Sequence, residues 1–288
     1  MVESMIIAGR QREIDGFLLF RVLPAAERRT VGPFIFLDHF GPAEIAIGQG
    51  IDVRPHPHIN LATVTYLFEG EFLHRDSIGN EQVIRPGAIN WMTAGRGIAH
   101  SERTPPELRK TGSRVHGLQI WVALPQEHEE VEPNFHHYGA ETLPSLELEG
   151  AKLRVLAGSA FGRTSPVATS SPLFYVEAKL AAGARVTVPR EIRERGIYVV
   201  SGQVECQGER IVPRHMMVLP EQSEAIVGAD EPSHIVMIGG EPLEGPRHIW
   251  WNFVSSSKER IEQAKRDWRE GRFGKVYRDE TEFIPLPE

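Results

Sequence analysis

Short runs of Val, Ile, Leu, Phe and Tyr, each cut off within a few residues by glycine or proline, recur from one end of the chain to the other. They fall at 63–68, 117–123, 174–180, 196–200 and 234–238, and 27 glycines and 21 prolines supply the breaks. Apolar runs of this length at this spacing are the strands of a sandwich or barrel. Ile78-Gly79-Asn80 and Pro86-Gly87 mark two of the turns. Strand and helix periods do not alternate, which sets aside a doubly wound α/β sheet. The pattern predicts an all-β chain with one helix at about 256–270. There Ser256 and Glu259 have capping-box spacing, Ile261, Ala264 and Trp268 share one face, and Gly271 stands where a helix stops.

The 288 residues suffice for two domains, and the halves resemble each other. TYLFEGE (65–71) can be laid over IYVVSGQ (197–203), and IRPG (84–87) over IVPR (211–214). We therefore expect two copies of one barrel: an N-terminal domain over 1–135, a linker over 136–145, and a C-terminal domain over 146–288 that ends in the helix. The acidic cluster Glu127, Glu129, Glu130 and Glu132, followed by Pro133, reads as part of the connection.

Two short motifs carry chemistry. Residues i and i+2 of a strand point to the same face, so His56-Pro57-His58 aims two imidazoles into one interior. His100-Ser101-Glu102 aims an imidazole and a carboxylate in the same way. Two such pairs on facing strands supply four ligands around one ion. Any one of the 12 histidines taken alone is more often structural; the paired spacing in an all-β setting is what singles these out. Three neutral imidazoles and one carboxylate suit Fe, Ni, Mn, Co or Zn rather than Ca or Mg. Fe(II) is favoured, because six-coordinate iron keeps two positions for substrate and O₂. The repeat contains its own control. Followed into the second copy, His56, His58, His100 and Glu102 fall on Val188, Arg190, Val227 and Ala229, so the site is expected once, in the first barrel.

Other histidines rank lower. His39, in FIFLDHFGP, and His74, in FLHRDSIGN, are expected to support the ligands or line the cavity. Phe36, Phe40, Leu61 and Trp91 are expected as its apolar lining. His136-His137 reads as a surface pair, His116 as packing, and His215 and His234 lie in the copy without a site.

A net charge of −7 with dispersed basic residues excludes direct nucleic-acid binding through a basic face. The lone Cys206 excludes an internal disulfide and sulfur-rich metal sites. The opening MVESMIIAGRQREI lacks the features of a secretory leader and no run is long enough to span a bilayer, so a cytoplasmic location is expected.

Five strings resemble the pirin family: VGPFIFLDHFGP (31–42), DVRPHPH (52–58), TVTYLFEGEFLHRDSIGN (63–80), VIRPGAINWMTAGRGIAHSERTP (83–105) and WNFVSSSKERIEQAKRDWREGRFGKV (251–276). The resemblance implies a bicupin, two tandem cupin-type antiparallel β-barrels. It also implies an iron centre held by three histidines and a glutamate, which map onto His56, His58, His100 and Glu102. Some pirins are similar to flavonol 2,3-dioxygenases (quercetinases), which implies a small aromatic substrate and O₂. In that role Glu102 doubles as proton acceptor. Others are transcriptional co-regulators or modulators of metabolic enzymes, which implies a protein partner and a redox-read surface. Two positions depart from the family string, Asn60 for a glycine and Ala62 for a glutamate. Asn tolerates left-handed backbone. Ala62 removes a carboxylate that many cupins place at the metal.

Overall fold

A computed structural model describes residues 4–14 and 17–288. Strands make up 51% of the chain, and the expected all-β class holds. No helix among the described residues is long and apolar enough to cross a membrane. The residues group into two compact units that interleave along the sequence. One comprises 13–19, 40–140 and 244–288; the other comprises 1–12, 20–39 and 141–243.

In the first unit a four-stranded antiparallel sheet runs in the order Asp52–His58, Ile98–Arg103, Phe72–Asp76, Glu81–Ile84. A larger sheet runs Asn134–Tyr138, Ile89–Thr93, Leu61–Glu69, Ser113–Ala123, then strand Phe34–Ile45, whose 40–45 end belongs to this unit. The strand Asp52–His58 is an edge strand, which is why it tolerates Pro55 and Pro57: an edge needs no donor from every residue. The strand Leu61–Glu69 is central and buried along its first seven residues, which explains why LATVTYL shows no polar alternation.

The second unit repeats this plan. Its four-stranded sheet runs Arg185–Thr187, Ile226–Gly228, Val204–Cys206, Glu209–Ile211, the same order in sequence terms as the first. Its larger sheet places Glu194–Ser201 between His215–Leu219 and Ser233–Gly240, as the first places Leu61–Glu69 between Ile89–Thr93 and Ser113–Ala123. The weak internal repeat thus marks two copies of one topology.

The helix spans Lys258–Arg269, with Gly271 at φ +70° just beyond it. Its cap is one residue later than the sequence suggests. The Ser257 hydroxyl accepts from Arg260 N, whereas the Ser256 backbone N–H and hydroxyl both donate to Glu129. Ile261 and Ala264 pack with Ile59 and Phe253, so the helix covers the residue that follows His58. The acidic stretch is equally well built in. Glu129 is buried, pairs with Arg247 at 3.0 Å and ties down Ser255 and Ser256. Residues 134–138, at the start of the expected linker, form a strand against Ile89–Thr93. Composition alone misled there, because the buried Glu129 has partners in Arg247, Ser255 and Ser256, more than a hundred positions away.

Candidate metal centre

His56 lies directly across from His100 in the antiparallel pairing of Asp52–His58 with Ile98–Arg103. His58 shares its face two residues on. The register slips between His100 and Glu102, where three steps of the edge strand match two of its partner; such a bulge bends the strand and re-aims its side chains. The three imidazoles converge: ring centroids are 4.4 Å apart for His56–His100 and 5.0 Å for both His56–His58 and His58–His100. Their possible ligand atoms lie within 4.8 Å of one another, the only such group of three or more His, Cys, Asp or Glu among the described residues.

The hydrogen bonds decide which nitrogens face inward. His56 Nδ1 meets Arg54 O at 2.8 Å and His58 Nδ1 meets Asn252 O at 3.1 Å. A carbonyl only accepts, so each Nδ1 carries the proton and each Nε2 keeps its lone pair. The Nε2 atoms of His58 and His100 are buried without any hydrogen-bond partner. Two orphaned ring nitrogens on converging imidazoles fit a divalent cation: an apolar design would not tolerate them, and a metal would satisfy both. Burial lowers the pKa of all three rings. Burial takes that of His56 down to about 4, opposed by its hydrogen bond to the Arg54 carbonyl. His58 and His100 fall well below the ordinary value, first through burial and then through their neighbouring histidines. The lowered values favour the neutral imidazole, the form in which a ring nitrogen can accept a metal.

Glu102 is buried but stands outside the 4.8 Å group. Its Oε1 accepts from the Thr65 hydroxyl at 2.7 Å, and that hydroxyl also lies 3.0 Å from Gln119 Oε1. Burial raises the Glu102 pKa, and the Thr65 hydrogen bond partly offsets the rise. A cation beside it would favour the carboxylate instead.

Register shows which other residues share the face of Thr65. Asn90 and Gln119 pair with Thr65, and Met92 and Trp121 pair with Thr63, so these point the same way. Trp121 packs edge-on against His58 at 5.1 Å. Trp91 pairs with Val64 and therefore faces away from the site, contrary to expectation. Leu61 has the right parity, four residues from Thr65. Phe40 packs with Phe17 and Phe72 in a small apolar cluster. Phe36 and His39 fall in the other unit. There the Arg21 guanidinium covers the Phe36 ring, and His39 Nδ1 meets the Tyr198 hydroxyl at 2.6 Å. His74 is buried beside the site, with Nδ1 3.5 Å from His100 Nδ1.

The two departures from the family string resolve differently. Asn60 adopts φ +58°, the left-handed backbone expected of it, and its amide donates to Glu129 O. Ala62 pairs with Val122 and Thr93, on the face opposite Thr63 and Thr65. A carboxylate at 62 would point away from the imidazoles, so alanine there costs the site nothing. Thr65, Gln119, Asn90 and Trp121 were missed by sequence reasoning; each lies on a strand whose partner and register no local motif announces.

The family model described as pirin matches residues 16–122, and that of the pirin C-terminal cupin domain matches 175–274. A pirin-like protein of Caulobacter vibrioides is 50% identical over 288 residues, 99% of each chain. Human pirin is 34% identical, over 95% of this chain and 93% of its own. A crystal structure of quercetin 2,3-dioxygenase from Acinetobacter baumannii, 34% identical, matches with a TM-score of 0.92 over 99% of this chain and 95% of its own.

Proposed function

The chain belongs to the pirin family, and from that premise we propose that it is a metal-dependent oxygenase of the quercetin 2,3-dioxygenase type, acting on a flavonol or a similar aromatic enol. The observation that carries this reading is the trio of buried, neutral imidazoles with two unpartnered Nε2 atoms, in a fold that matches a quercetin 2,3-dioxygenase along nearly its whole length.

In this reading His56, His58 and His100 hold the ion through Nε2, and Glu102 completes the set. Fe(II) is the first choice, with Ni, Mn, Co and Zn as the other metals this donor set accepts. A bound divalent ion would supply a Lewis acid that lowers the pKa of a substrate hydroxyl. The residues do the rest. With one carboxylate among four ligands the site retains a net positive charge, which selects the deprotonated enol over the neutral one. Glu102 is the single carboxylate of the proposed ligand set; Thr65 holds its Oε1 in place, and the oxygen not bound to the ion would accept the substrate hydroxyl proton. Trp121, edge-on to His58, shields that ligand from water.

The test follows the absorbance of quercetin in air with the Fe(II), Ni(II) and metal-free forms, after the metal of the purified protein has been identified. We expect turnover with at least one metal, none without it, and loss of both metal and turnover in His56→Ala. Intact metal binding with no turnover by any form would overturn the oxygenase reading and leave a metal-dependent interaction protein.

A further inference from the structure

His56 and His58 are each held by a backbone carbonyl, but His100 is held by a side chain, and that side chain is itself held by another. Strand Phe72–Asp76 lies beside Ile98–Arg103, with Asp76 opposite His100 and His74 opposite Glu102. His74 Nε2 meets Asp76 Oδ2 at 3.2 Å, and His74 Nδ1 meets His100 Nδ1 at 3.5 Å. All three residues are buried. Asp76 also accepts from Ile78 N at 3.1 Å, Asn80 N at 2.9 Å and Asn80 Nδ2 at 2.8 Å. The Phe135 ring stacks on His74 at 4.2 Å and 12°, fixing its plane.

Proton accounting along this line has one solution for neutral rings. A carboxylate that receives three other donors is an acceptor, so His74 Nε2 bears the proton facing it. His74 Nδ1 is then a bare lone pair, and the only proton that can lie between the two Nδ1 atoms belongs to His100. His100 Nε2, the buried atom with no partner, is left as a free lone pair. We propose that Asp76 and His74 are positioning residues, a directed chain of hydrogen bonds that fixes the tautomer and ring orientation of His100 so that Nε2 faces the metal. The proposal rests on the reading of His100 as a ligand. The 3.5 Å contact is at the long end of hydrogen bonding, so the chain acts by selecting a tautomer more than by adding binding energy. A carboxylate behind a ligand imidazole also raises its basicity, and removing such a partner typically weakens metal binding about 10- to 100-fold.

Two variants of the full-length chain test this. His74→Phe keeps a ring to stack on Phe135 but offers no acceptor to His100. Asp76→Asn places an amide donor where His74 now finds an acceptor, which reverses the direction of the chain. The first readout is the tautomeric state of His100 in the metal-free protein, from long-range ¹H–¹⁵N correlation spectra of histidine-labelled samples at neutral pH. We expect His100 protonated on Nδ1 in the wild type, mixed tautomers in His74→Phe, and a shift toward Nε2–H in Asp76→Asn. The second readout is Co(II) affinity by competition with a chelator, expected to fall about 10- to 100-fold in both variants. Thermal melts identify a variant that has simply unfolded, in which case the other decides. Protonation of His100 on Nε2 in the wild type overturns the proposal, as does wild-type tautomer and affinity in the folded variants. Failure of the site reading looks different: the wild type would then bind no Co(II), while the metal-free spectra would still judge the chain.

Discussion

The two barrels share a strand order and differ in what they bury. On the sheet where the first barrel places His56, His58, His100, His74 and Asp76, the second places Val186, Val227 and Cys206, with Val188 just past its strand, all packed into one apolar cluster. Arg190, the counterpart of His58, is exposed and pairs with Glu224 at 2.8 Å. The difference teaches that the topology does not require polar residues there. An unpartnered polar group in a barrel interior costs about 1–3 kcal/mol. At the equivalent positions the second barrel has Val188 and Val227, which carry no such cost. The first accepts it at least twice, at His58 and His100, and acceptance without a packing benefit is the physical signature of a site.

The largest effect that would sharpen this comparison comes from placing a charge in the dry barrel. Val227 is completely buried, and Val227→Asp puts a carboxylate there with no cation to meet it. We expect destabilisation by more than about 4 kcal/mol, read as loss of soluble expression or of a cooperative melt. If the variant folds normally, the second interior is wetter than its valines imply and the contrast fails.

Acidification is the next largest. The metal-free protein buries three imidazoles whose folded pKa values lie below the ordinary 6.5, that of His56 at about 4. The unfolded chain therefore binds more protons than the folded one between those values, and stability falls as pH falls from about 6.5 toward 4. Each imidazole contributes up to about 1.4 kcal/mol per pH unit. Glu102, whose pKa is raised by burial, works the other way, losing stability as pH rises above its unfolded value; above pH 4.5 it opposes three groups with one. Urea denaturation between pH 7.5 and 5 should thus show a drop of several kcal/mol in the metal-free protein and a smaller one with Co(II) bound. Equal pH dependence with and without metal would remove the link between the imidazoles and the ion.

Much of this contrast was legible in the sequence. The alternation in HPH and HSE fixes a shared face without any knowledge of the fold, and the failure of those residues to recur at Val188 and Val227 separates the barrels. What could not be read was set by register and by distant partners. Trp91 was expected as lining, but the pairing of residue 65 with 90 turns Asn90 inward and Trp91 away. Ala62 looked like a lost carboxylate until the same pairing turned it away. The support of His58 by Asn252, 194 positions along, and the union of 244–288 with the first barrel have no local signal at all.

A smaller effect comes from making the first barrel resemble the second. His100→Leu replaces an imidazole whose Nε2 has no partner with an apolar side chain of similar bulk. The lost burial penalty offsets the loss of the His74 contact, so the metal-free variant should melt within about 1 kcal/mol of wild type. Co(II) binding should be abolished. Destabilisation well beyond that would make His100 a structural residue first.

The smallest difference is between two hydroxyls. Tyr198→Phe and Thr65→Val each remove one buried hydrogen bond, to His39 Nδ1 in one unit and to Glu102 Oε1 in the other, and each should cost about 0.5–1.5 kcal/mol of stability. Stability alone cannot tell them apart; metal affinity can. Tyr198 belongs to the unit that has no ligand cluster among its described residues, so its loss should leave Co(II) binding unchanged. Thr65 orients the one carboxylate of the proposed ligand set, so its loss should weaken binding several-fold, and Thr65→Ser, which keeps the hydroxyl, should restore it. If Thr65→Val binds Co(II) as tightly as wild type, Glu102 is not held for the metal by that bond, and the ion rests on three imidazoles alone.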